Sequence, residues 1–199
     1  MKWLAARIRH FASLLAGDYS IYFVCHFSCD RLHTQKNVSE AYAVREIDDY
    51  SIKSSSMALL REQIHYLGED SLSFGCFLGE QLVGVCFYWY GNRYRQRNFW
   101  PLGDNEGKLV QVVVVPEMRG QGVATSLLRS SAEEMISRGF RNRYARVWHS
   151  TRPSLYAFAM AGWRRIALVI EINPLRAKRP LRLKLERNQN RRNNCSPYL

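Results

Sequence analysis

The spacing of apolar positions switches along the chain between about every third or fourth residue and every second residue, and each switch marks an element. Leu4, Ile8, Phe11 and Leu15 keep helical spacing, with Lys2, Arg7 and Arg9 between them, which predicts an amphipathic helix over 1–16. Gly17-Asp18 breaks it, and the aromatic and β-branched run 19–27 reads as a strand. Residues 28–40 are polar and loop-like; 41–47 is a second strand; 48–67 holds one or two helices ended by Gly68. Two strands, 72–78 and 81–90, flank the hairpin signal Gly79-Glu80. A loop at 91–107 mixes Arg, Tyr and Trp. Strand 108–115, helix 122–138 stopped by Gly139, strand 143–148, helix 153–161 with Pro153 in its first turn, and strand 163–172 follow. Leu181, Leu183 and Leu185 alternate with Arg182 and Lys184 as a last strand, and 188–199 is a polar, basic tail. No repeat or linker divides the chain, so the expected organisation is one domain over 41–187, an extension of helix and strand over 1–40, and the tail.

The most informative stretch runs from Val112 to Thr125. Four consecutive valines, Val112 to Val115, call for a buried strand, and Pro116 closes it. Gly120 and Gly122 let a ligand approach the backbone closely, and the helix that follows opens with unpaired N–H groups and the positive end of its dipole. That is an anion cradle suited to a diphosphate. No Gly-Lys-Ser/Thr follows, so it is not a P-loop, and the intervening Pro-x-x-Arg argues against a dinucleotide-binding turn.

Val114, Pro116, Arg119, Gly120, Gly122 and Ala124 stand at the spacing Val-x-Pro-x-x-Arg-Gly-x-Gly-x-Ala, which resembles the acetyl-CoA loop of the GCN5-related N-acetyltransferase (GNAT) superfamily. The element order from 41 to 186 is similar to that family's, and the first 40 residues fall outside the resemblance. The resemblance implies an α+β GNAT fold, a mixed and mostly antiparallel sheet of six to seven strands with helices on both faces. It implies that strands 108–115 and 143–148 run parallel and splay apart after a bulge in the first, admitting the pantetheine arm. Val113 and Val115 would then offer backbone groups to the arm beside Val114, Arg119 and Gly120 would shape the turn, and the amides of Gln121, Gly122, Val123, Ala124 and Thr125 would hold the diphosphate. Acetyl-CoA would be a co-substrate, with no metal required.

One departure stands out. Phe158 falls where the family usually places the tyrosine that protonates the leaving thiolate, and a phenyl ring has no proton to give. Tyr156 lies about 200° round the helix from it, and His149 lies just past strand 143–148; both are candidate acids. The thiolate leaving unprotonated, and binding without turnover, stay open beside them. Gln111, on the strand that often carries the family's base, has no basic group, and Asp104 and Glu106 read as solvated.

Composition sets the remaining bounds. Hydrophobic residues make up 47% of the 199, enough for a folded core, and no apolar run reaches the ~20 residues of a membrane span. Net charge is +12, and over half of the excess lies in 173–199. Arg176, Lys178 and Arg179 sit in the loop that resemblance places at the acceptor pocket, which points to a small anionic amine such as a nucleotide-linked amino sugar. The loop from Arg93 to Trp100 could stack on sugars or bases, or simply lie solvated. A protein or peptide N-acetyltransferase and a non-catalytic acyl-CoA-binding module are the alternative readings; a nucleic-acid partner is not expected. Five scattered cysteines favour free thiols in a reducing, cytoplasmic compartment, and a buried strand explains Cys25 and Cys29 better than a metal cluster with His26 and His33. Helix 1–16 either packs on the domain or on a second copy, as in a homodimer, or lies peripherally on an anionic membrane surface with Trp3 at the interface.

Overall fold

A computed structural model describes residues 18–29, 41–173 and 181–186. The expected helix over 1–16 and the polar tail lie outside the described residues. Eight strands form one sheet: β1 Asp18–Ser28, β2 Ala43–Glu46, β3 Ser71–Leu78, β4 Gln81–Trp89, β5 Glu106–Val114, β6 Asn142–Trp148, β7 Arg164–Asn173 and β8 Leu181–Glu186, in the order β2-β3-β4-β5-β6-β1-β7-β8. Every neighbouring pair is antiparallel except β5 and β6. The helices are α1 Asp49–Lys53, α2 Ala58–Arg61, α3 Val123–Ser137 and α4 Arg152–Met160. The sheet has one strand more than the six to seven expected, because β1 does not extend the domain from outside. It lies between β6 and β7 with Tyr22, Val24, Cys25 and Phe27 buried.

The sheet carries cover on both faces. Neighbouring residues of a strand point to opposite sides. Tyr88 meets Ser131 of α3 at 3.0 Å, while Phe87 stacks on Tyr66 with ring centroids 5.3 Å apart. Buried Leu127, Leu128, Ala132 and Met135 fix α3 to the first face. Trp163 donates to the Leu128 carbonyl at 3.3 Å and Arg129 to the Met160 carbonyl at 2.7 Å, which ties α4 to the same side. Gly84 on β4 makes the approach possible, since a Cβ there would stand 3.2 Å from Val123 Cγ1. On the second face, the segment expected to be one or two helices forms α1, α2 and a 3-10 turn Glu62–Tyr66. The loop after β4 adds a 3-10 turn Arg93–Arg97 and lays Phe99 over Tyr22, with ring centroids 6.0 Å apart.

Cys25, Cys76 and Cys86 are free and buried, whereas Cys29 is disulfide-bonded, which departs from the expectation of free thiols throughout. Among the described residues no group of three or more His, Cys, Asp or Glu could hold a metal ion, and no helix is long and apolar enough to cross a membrane.

Candidate active site

β5 and β6 form a V. They pair only from Glu106 opposite Asn142 to Leu109 opposite Ala145. At the next residue β5 bulges: Phe87 faces Gln111 and Tyr88 faces Leu109, so Val110 has no opposite number on β4. Past it the strands part. The closed end is stapled by side chains, with Asn142 donating to Glu106 Oε1 at 2.6 Å and His26 Nε2 lying 2.9 Å from Asn142 Oδ1. Glu106 is therefore a structural clamp, not the solvated acid expected. The open end encloses a cavity of about 250 Å³ through the sheet. Leu109 to Val112 line one side and Ala145 to Trp148 the other, with Thr151, Ser154 and Phe158 on the α3–α4 face and Phe99 on the opposite face.

The edge of β5 that faces the cavity is set by its pairing with β4. Val115 donates its amide to the Val83 carbonyl and accepts from the Met118 amide, both at 3.0 Å, so neither backbone group is left for a ligand. Val113, two residues back and opposite Val85, turns the same way. The cleft-facing backbone belongs instead to Val112 and Val114, one residue out of step with the expected Val113 and Val115. The Val114 carbonyl also accepts from Arg119 Nε at 3.3 Å, which folds the exposed arginine back along the turn.

Gly120 and Gly122 have φ of +76° and +89°, left-handed values that favour glycine, and Gly122 caps α3 with no side-chain hydrogen bond. A Cβ at either glycine would meet no atom within 4 Å, so the surface before the helix is open. Ser126 makes the first helical bond, to the Gly122 carbonyl at 2.9 Å, and the amides of Gln121 to Thr125 have no acceptor among the described residues. The Tyr42 hydroxyl donates to the Gln121 carbonyl at 3.1 Å and Gln121 Nε2 to the Glu117 carbonyl at 2.8 Å, which hold the turn in place. The result is a fixed nest of donors at a helix head beside the open end of the V.

The expected acids do not reach the cavity. Tyr156 is 69% exposed on α4. His149 is exposed, places Nδ1 3.0 Å from the Ile21 carbonyl and is not a lining residue. Phe158 does line it, buried against Trp163 with ring centroids 5.2 Å apart. Gln111 is there too, donating to Gln63 Oε1 at 3.0 Å. Burial pushes the thiols of Cys25, Cys76 and Cys86 up to about 12, so none is poised as a nucleophile. Arg176, Lys178 and Arg179 lie outside the described residues.

Several groups around the cavity escaped the sequence reading. Tyr144, Arg146 and Trp148 share one face of β6 by alternation, a period-2 signal visible in the sequence but uninformative until β6 lies beside β1. Lys108 is buried beneath the loop, its Nζ 3.4 Å from the Phe99 ring centroid and 2.9 Å from the Trp100 carbonyl, with the Tyr94 hydroxyl also in contact. The ring faces favour an ammonium. Burial first, and then the charges of Arg146, Arg182 and Lys184, outweigh them and push this amine down to about 5.

Known proteins place this geometry. A model of the acetyltransferase (GNAT) family matches residues 38–163. An acetyltransferase of the GNAT family from Colwellia psychrerythraea superposes with a TM-score of 0.55 at 12% identity, over 87% of this chain and 62% of its own. A tandem GNAT protein from the clavulanic acid biosynthesis pathway gives 0.53 at 14%, over 81% and 55%. A GCN5-related N-acetyltransferase from Sphaerobacter thermophilus gives 0.51 at 15%, over 92% and 56%. At these identities the likeness is one of fold, and the chain spans about 55–62% of the length of these structures. A comparison with curated protein sequences yields no match. With more than half of its length matched by the family model, the chain belongs to the acetyltransferase (GNAT) family.

Proposed function

We propose that the protein transfers the acetyl group of acetyl-CoA to the amine of a small, anionic acceptor. The observation that carries this reading is the V: beyond Leu109 the backbone of β5 is no longer paired with β6, and it runs from a donor nest at the head of α3 into a cavity at the divergence of the strands. Amides at the helix head suit the diphosphate, and Val112 and Val114 suit the amide-bearing pantetheine arm, which can lie against β5 as an added strand. The thioester then lies near Val110 to Val112 and Ala145 to Val147.

The chemistry is direct attack. The amine nitrogen bonds to the thioester carbonyl carbon, the C–S bond breaks, coenzyme A leaves as its thiolate and the nitrogen's proton goes to water. Among the described lining residues there is no carboxylate or histidine, so the amine must enter unprotonated, and proximity supplies most of the rate. High-pKa thiols and the absence of a cysteine among the lining residues speak against an acyl-enzyme. Thiol release from acetyl-CoA over a panel of small amines and peptides tests the reading. Small anionic amines should support release above the background hydrolysis rate; release with peptides alone favours a protein N-acetyltransferase, and coenzyme binding with no release favours a binding module.

A further inference from the structure

The coenzyme and the acceptor cannot enter the cavity from the same side. The diphosphate nest belongs to α3, and α3 lies on the sheet face that Tyr88 and Phe158 share. An arm running from that nest through the parted strands fills the α3–α4 mouth. The amine must then arrive at the other face, where Phe99, Arg146 and Trp148 stand.

At that mouth Arg146 has an unusual environment. Its guanidinium carbon lies 5.3 Å from the centroid of the Tyr22 ring, 5.4 Å from that of Phe99 and 4.9 Å from that of Trp148. Tyr22 and Trp148 stand edge to face at 5.9 Å, so the rings form a box that fixes the guanidinium. Among the described residues no carboxylate pairs with Arg146. The acidic groups nearby are otherwise engaged. Glu171 accepts from Arg182 Nε at 2.5 Å and from the Tyr22 hydroxyl at 3.4 Å, and Glu106 is held by Asn142. The local field is positive as well: Arg146, Arg182 and Lys184 together help to depress the protonation of Lys108. Ring faces hold a guanidinium without using its N–H donors, which are left for a planar anion.

We infer that Arg146, boxed by Tyr22, Phe99 and Trp148, is the anion-binding residue of the acceptor subsite and selects amines that carry a carboxylate or phosphate. The inference rests on the acetyl-transfer reading for its orientation. Trp148, 43% exposed, offers a flat apolar wall for the body of such an acceptor. A polyamine would meet charge repulsion at the same mouth.

The test compares wild type with Arg146→Met and Arg146→Lys. The acceptors are matched pairs: phenylalanine against phenethylamine, and glucosamine 6-phosphate against glucosamine. Acetyl-CoA affinity is read by calorimetry in all three proteins, so that the coenzyme step is separated from the acceptor step. In wild type the anionic member of a pair should have the higher kcat/KM. Arg146→Met should raise KM for that member by about tenfold to a hundredfold more than for its neutral partner, the range of a hydrogen bond to a charged partner. Arg146→Lys should keep part of the preference, since it retains charge without the fork. Equal slowing of both members in Arg146→Met, or no anionic preference in wild type, overturns the inference. Should no amine release thiol, the transfer reading fails separately, and the subsite is read by calorimetry of the same amines on protein loaded with coenzyme A. Binding of the anionic members to wild type but not to Arg146→Met then upholds the subsite; no difference overturns it.

Discussion

Phe158 and Lys108 show how single side chains set the chemistry of this cleft. Phe158 lines the cavity where a tyrosine would deliver a proton, and Tyr156 is turned to solvent. Phe158→Tyr puts a hydroxyl in the cleft. Thiol-release kinetics should show kcat rising severalfold, well short of the ~10²–10⁴ typical of a general acid, because a thiol of pKa about 8.5 leaves readily as thiolate. Lys108 acts on stability. Its native pKa of about 5 lies far below the ordinary ~10.4, so between these values the unfolded chain binds a proton that the native chain does not. Stability therefore rises with pH across that window, and below it both states are protonated and the dependence ends. Lys108→Met removes this linkage. Its melting temperature should exceed that of wild type most near pH 5, with the gap closing by about 3–5 °C per pH unit toward pH 9. The identity of Phe158 was legible in the sequence because it sits inside a contiguous helix. Lys108 and Arg146 were not, because their surroundings join residues 22, 94, 99 and 148 from separate segments.

The β5–turn–α3 element was legible almost whole, since its requirements are local. A strand end, a proline stop, two left-handed glycines and a helix head follow one another within 112–125. Its finer detail was not. Which backbone groups of β5 face the cleft depends on register with β4, and register cannot be read from four valines that show no alternation. Val112 and Val114 replace Val113 and Val115 for that reason. At this scale the decisive change is Gly122→Asp. It adds a carboxylate at the open head of α3, where nothing else occupies the space. Acetyl-CoA affinity measured by calorimetry should fall at least about tenfold, or ~1.4 kcal/mol, with the fold retained by circular dichroism.

Across the whole molecule, the least legible feature was the place of β1. Its aromatic and β-branched run announced a strand, but pairing partners are a property of the complete sheet. β1 completes the sheet between β6 and β7 and brings Tyr22 to the cavity's far mouth. A chain starting at Ala41, the expected domain boundary, loses four buried core side chains and leaves two facing strand edges unpaired. It should show no cooperative thermal unfolding transition, whereas the full chain should show one. The same global view explains the division of labour in the site: one face of the sheet offers donors for a diphosphate, the other a boxed cation, and the V joins them.

The most direct measurement is a crystal structure of the protein with acetyl-CoA bound. The diphosphate oxygens should lie within about 2.7–3.2 Å of the amides of Gln121 to Thr125, with the pantetheine arm against Val112 and Val114 and the thioester between β5 and β6. A coenzyme bound elsewhere, or strands β5 and β6 closed together beyond Leu109 and Ala145, would contradict the account.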